Sequence, residues 1–205
     1  SRALVPRSPL MSVIHEGYSP WFNQATPLRI VDVCCGGGSL GLLAAYHSPE
    51  SHVLLLDIDA DALALAGTNR RDQGMGNTLC VQADLLEALA PSSVDIILAN
   101  PPYVDAEDMA NLPQEYHHEP RLALAAGDDG LDLVHRLLRQ ASLVLSPHGM
   151  LFLEVGNSAP ALASSYPALT FIWLELPSGG HGVCAISANE LRNSIELTGS
   201  PASQV

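Results

Sequence analysis

Five short, continuously apolar runs, most of them followed by a helical pattern, constrain this chain more than any other feature. They lie at residues 28–34, 52–57, 77–83, 94–99 and 150–155, and each predicts a strand. Between them the spacing of apolar residues predicts helices at 39–47, 59–72 and 131–145, with a short helical turn at 85–89. Strands that are apolar throughout must be covered on both faces, which is the condition of a parallel sheet wrapped by helices. Two further strands at 169–176 and 182–188 flank Pro177-Ser178-Gly179-Gly180, a turn that predicts an antiparallel edge hairpin. The expectation is therefore an α/β fold: a mostly parallel, twisted, seven-stranded sheet with helices on both faces. Residues 1–27 would lead into one domain at 28–190, and the polar stretch 191–205 would be a flexible tail.

In such a sheet a ligand binds beyond the carboxyl ends of the strands, where the strand order reverses. The residues just past each strand therefore matter most. After the first comes Asp32-Val33-Cys34-Cys35-Gly36-Gly37-Gly38-Ser39-Leu40-Gly41, whose glycines let the backbone approach a ligand and turn into a helix. After the second stand Asp57, suited to both ribose hydroxyls of an adenosine, and Ile58; after the third stands Asp84, where an adenine edge would lie. Each feature alone is weak, since an aspartate after a strand is often only a helix cap. In this order, on these strands, they predict a nucleoside site.

Gly36, Gly38 and Gly41 also satisfy the dinucleotide fingerprint, so a nicotinamide-dependent dehydrogenase is a rival. Asn100-Pro101-Pro102-Tyr103, after the fourth strand, argues against it. Two prolines fix the chain so that the Asn100 amide and the Pro101 carbonyl can face the cleft. A planar NH2 group needs such acceptors for its hydrogens, and Tyr103 offers a flat face to pack on it. Hydride transfer has no use for this quartet.

These residues carry a resemblance. Asp32 to Gly38 with Asp57 resembles the cofactor site of Rossmann-like class I methyltransferases, and Asn100-Pro101-Pro102-Tyr103 resembles the motif of those acting on planar exocyclic or amide nitrogens. Within that group the chain is similar to the protein N(5)-glutamine methyltransferases from about Val5 to Ile186. The stretches Val104-Asp105-Ala106-Glu107-Asp108-Met109, Glu115-Tyr116-His117-His118-Glu119-Pro120, Ala126-Gly127-Asp128-Asp129-Gly130-Leu131 and Glu154-Val155-Gly156-Asn157 resemble the branch modifying large-subunit ribosomal protein number three. The sister branch, acting on peptide chain release factors, matches less well after the quartet. The resemblance implies S-adenosylmethionine as cofactor, S-adenosylhomocysteine as product, and a protein glutamine as target. It implies cofactor binding by Asp32, Cys34, Gly36, Gly38, Asp57, Ile58, Asp84 and Asn100, and target binding by Asn100, Pro101, Pro102 and Tyr103. Leu4-Val5-Pro6-Arg7-Ser8 looks like an engineered protease site, but it resembles the family's native approach to the catalytic domain more closely. The departures are Gly37 in place of serine, His181 in place of an aspartate, and no helical domain ahead of the Pro-Arg segment.

Charge decides among partners. Nine arginines, no lysine and 22 acids give a net charge of −13, which repels a phosphate backbone and suits a basic ribosomal protein. Between residues 101 and 130, seven acids face one arginine, Arg121, as expected for a loop that steers such a partner. The alternatives are a nucleic-acid amine methyltransferase, which the charge opposes, and a non-catalytic cofactor-binding remnant. Four cysteines without paired ligand spacing and eight scattered histidines predict no metal site. With no signal peptide and no apolar span, a cytoplasmic chain away from the membrane is expected.

Overall fold

The computed structural model describes residues 8–23, 26–102, 131–176 and 181–198. Among the described residues seven strands form one sheet in the order β3-β2-β1-β4-β5-β7-β6. They are β1 (Arg29–Val33), β2 (His52–Asp57), β3 (Thr78–Gln82), β4 (Val94–Ala99), β5 (Leu145–Glu154), β6 (Ile172–Trp173) and β7 (Val183–Ser187). The first five run parallel, and β7 is antiparallel to both β5 and β6. The order reverses between β1 and β4, so the switch point lies between the glycine turn and Asn100.

Alternation along the strands divides the core in two. Val31, Val33, Ile97, Leu151 and Leu153 pack beneath α4 (Asp132–Val144), α5 (Ala159–Ser165) and α6 (Ala188–Thr198). Ile30, Leu55, Leu98 and Phe152 pack beneath α1 (Leu10–His15), α2 (Ser39–His47) and α3 (Ala60–Asp72). Helices therefore cover both faces, as the apolar runs require. At the amino end of the sheet Arg29 grips Asp95 with two parallel bonds of 2.9 and 2.7 Å, tying β1 to β4 away from the cleft.

Several expectations need correction. The stretch from residue 191 does not begin a frayed tail. It continues α6, where Leu191 is fully buried and Arg192 donates to the carbonyls of Ser142 and Leu145. The strand expected at 169–176 shrinks to Ile172–Trp173, because the Leu169 N–H turns back to Tyr166 and the Thr170 N–H is taken by Glu190. The segment ahead of β1 holds a helix, α1, whose Leu10, Val13 and Ile14 are buried. The helical turn expected at 85–89 is a non-helical turn with Leu85 at φ 53°. Tyr103, the acidic stretch up to Gly130 and the turn at 177–180 lie outside the described residues.

Candidate active site

The glycine turn is built from below. Gly38 caps α2 in a left-handed conformation (φ 81°) and has no side chain to satisfy the helix's first N–H groups. Asp32 supplies what is missing: its Oδ2 accepts the Gly41 N–H at 2.8 Å and sets a carboxylate at the positive end of the helix. Gly41 is required for this fit, since a Cβ there would lie 2.1 Å from Leu55 and 2.9 Å from the Asp32 Cβ. Asp32 is only 2% exposed, and burial pushes its carboxyl up to about 7. The Gly41 N–H pulls the other way and the Asp57 charge adds to the push.

The cleft side of the turn is open. Gly36 (φ 53°) has nothing within 4 Å of where a Cβ would stand, and its N–H is fixed by Asp57 Oδ2 at 2.8 Å. Asp57 also accepts the Asp59 N–H at 3.0 Å. Each carboxylate oxygen has more than one lone pair, so these bonds orient Asp57 without exhausting it. Ile58 comes next, 46% exposed, presenting an apolar surface beside the carboxylate. Cys34 holds a left-handed conformation (φ 57°), and burial with the Asp57, Asp32 and Asp84 charges pushes its thiol up to about 12. It is neutral at the end of β1, and no nucleophile.

Asp84 lies past β3 with its side chain 36% exposed, and its Oδ2 accepts from Arg136 of α4 at 2.7 Å. Asn100 leaves β4 directly beside the end of β1, because Ala99 pairs with Leu153 on one side and with Val33 on the other. Pro101 is buried and Pro102 exposed. The structure thus brings Cys34, Gly36, Gly38, Asp57, Ile58, Asp84 and Asn100 to one rim of the sheet, with Asp32 beneath the turn.

Two charged residues near this rim were not among the expected site residues. Glu154 ends β5 one step beyond the Ala99–Leu153 pair, so it lies alongside Asn100; it is buried and accepts from Ser8 Oγ. Its position after an apolar run was a signal, but its partner lies 146 residues away. Arg136 is the other, one charged residue among several on a helix.

A glycine turn, a carboxylate after β2 and an asparagine after β4, on this strand order, are arranged as in the class I, Rossmann-like methyltransferase fold. The chain belongs to the methyltransferase small domain family, whose model matches residues 20–164. It is 39% identical over 192 residues to the ribosomal protein uL3 glutamine methyltransferase of Francisella tularensis, covering 93% of this chain and 61% of that protein. The same enzyme of Xanthomonas campestris is 41% identical over 191 residues, covering 93% and 62%. The chain thus spans about three fifths of the length of these curated relatives. Among solved structures, the methyltransferase domain of METTL16 superposes with a TM-score of 0.65 at 18% identity, covering 90% of this chain and 85% of that one. The 16S rRNA methyltransferase RsmC of T. thermophilus, solved with AdoMet and guanosine, gives 0.64 at 18% identity over 91% and 44%. These two likenesses are of fold. No helix among the described residues is long and apolar enough to cross a membrane.

Proposed function

We propose that this chain transfers a methyl group from S-adenosylmethionine to the side-chain amide nitrogen of a glutamine in ribosomal protein uL3. The observation that carries the chemistry is Asn100-Pro101 at the switch point, level with the open glycine turn. The choice of substrate rests on the two relatives named for it. A cofactor of this kind fits the residues present: the space above Gly36, the oriented Asp57 carboxylate, the apolar face of Ile58 and the acceptor at Asp84 suit a backbone-hugging chain, a ribose, an adenine face and an adenine amine in turn. When bound, S-adenosylmethionine supplies an electrophilic methyl group on a sulfonium.

Everything else falls to the protein. An amide nitrogen is a poor nucleophile because its lone pair is delocalised into the carbonyl, so alignment is the main task and removes several kcal/mol of barrier. The Asn100 side-chain oxygen and the Pro101 carbonyl accept the two amide hydrogens and hold the nitrogen toward the donor. They also face the positive charge that grows there during transfer. The nitrogen's proton becomes acidic once the methyl is on, so no base of shifted pKa is required, and the neutral Cys34 supplies none. The flat ring of Tyr103 is a group suited to a planar amide.

A transfer assay with methyl-labelled cofactor, offering uL3, a peptide chain release factor and ribosomal RNA separately, tests the reading. Asn100→Ala should lower turnover on uL3 by roughly a hundredfold or more, the scale of removing one preorganised polar contact, with a much smaller loss of cofactor affinity. Label on the release factor or the RNA, and none on uL3, would replace the substrate. Stabilisation by NAD in place of S-adenosylmethionine would replace the chemistry.

A further inference from the structure

Two side chains of α4 hold the turn after β3. Arg136 and Gln140 lie one helical turn apart and so share a face. Arg136 donates to Asp84 Oδ2 at 2.7 Å and comes within 3.7 Å of Glu87, while Gln140 accepts the Leu86 N–H at 2.8 Å. The backbone between these anchors is unusual: Leu85 takes φ 53°, and Leu85 and Leu86 are 4% and 1% exposed. The turn is thus held at its backbone by one side chain and at its carboxylate by another.

The Arg136–Asp84 pair is half in solvent, with side-chain exposures of 39% and 36%, and exposed pairs add little to stability. What such a pair does supply is direction. Asp84 shares the rim with Asp57, above the buried Asp32, and all three charges act on the Cys34 thiol in a chain without lysine. Left alone, a carboxylate there would turn away from its neighbours toward water. The arginine engages it through Oδ2 only, which leaves Oδ1 for a donor in the cleft.

We infer that Arg136 is a positioning residue for the adenine end of the cofactor, holding Asp84 so that Oδ1 faces the exocyclic amine and makes the site selective for a 6-amino purine. This rests on the proposed cofactor reading. A carboxylate oxygen accepts from an amine but repels a 6-oxo group, so selectivity between the two is the property Arg136 should control.

The test is calorimetric binding of S-adenosylhomocysteine and of S-inosylhomocysteine, in which a 6-oxo group replaces the 6-amino group. The parent chain should prefer the former by about tenfold or more, the worth of one hydrogen bond to a charged group. Arg136→Met should bring the two within about threefold by weakening S-adenosylhomocysteine alone. Arg136→Lys, keeping charge without the fork, should fall between. In an Asp84→Ala background the same Arg136→Met change should leave the ratio where it is, since coupled residues are not additive. Equal weakening of both ligands by Arg136→Met would overturn the inference and leave Arg136 a structural residue. A change of ratio that persists without Asp84 would also overturn it. If the parent bound neither ligand, the cofactor reading itself would fall and this inference with it.

Discussion

Asp32 is an acid whose charged form its surroundings oppose. Burial raises its carboxyl to about 7, so the folded chain keeps a proton that the unfolded chain gives up near pH 4. The stability tied to that proton is fully present below the unfolded value and is lost as pH rises through about 7. Asp32→Asn keeps an acceptor for the Gly41 N–H and discards the charge. At pH 8 it should be more stable than the parent by an amount on the order of 1–4 kcal/mol, read as a higher melting temperature, and the gap should close toward pH 4. Equal differences across a pH series of thermal melts would refute this. The substitution should also weaken S-adenosylmethionine, because the charge that strains the free turn suits a cationic ligand above it.

Element by element, α6 separates two views of the chain beyond residue 190. Leu191 is fully buried in the cluster shared with α4 and β5. Leu191→Ala should therefore cost about 2–5 kcal/mol in denaturant unfolding, where a frayed tail would lose only a few tenths. The sequence did carry a signal here: Ala188, Leu191 and Ile195 recur at helical spacing, diluted by Asn189, Glu190, Arg192 and Asn193. The same holds for Leu10, Val13 and Ile14 in α1, a helix too short for periodicity to stand out. By contrast β2 and β4 could be read to the residue, because a strand buried on both faces has little freedom in composition. The rim followed from the strand ends, so Asp57, Asp84 and Asn100 were legible as a set. That Asp32 lies beneath the turn was not, since its partner Gly41 reads equally well as a fingerprint glycine. Glu154 and Arg136 were hidden for another reason: each acts through a residue far away in the chain, and no local pattern marks such a pair.

At the scale of the whole molecule, a net charge of −13 makes association a matter of ionic strength. If Glu107, Asp108, Glu115 and Glu119 steer a basic protein, methylation of uL3 should slow as salt rises past about 0.1 M, where screening reaches roughly 10 Å. Replacing all four by glutamine should give that lower rate already at low salt, with cofactor affinity unchanged; a flat salt series would leave these acids a solvated surface. The sheet order has a different kind of consequence. Because β7 lies between β5 and β6, the later-made of these two strands is not the one at the rim. A ribosome extruding this chain delivers Ile172 and Trp173 before anything exists for them to pair with. Until Val183 to Ser187 emerge, β5 presents a bare apolar edge from Met150 to Glu154, the kind of surface that nascent chains aggregate through. Sheet closure and the docking of α6 are thus late, joint events. A premature stop ahead of Val183 would yield a chain with an open edge, not a slightly shorter version of the same fold.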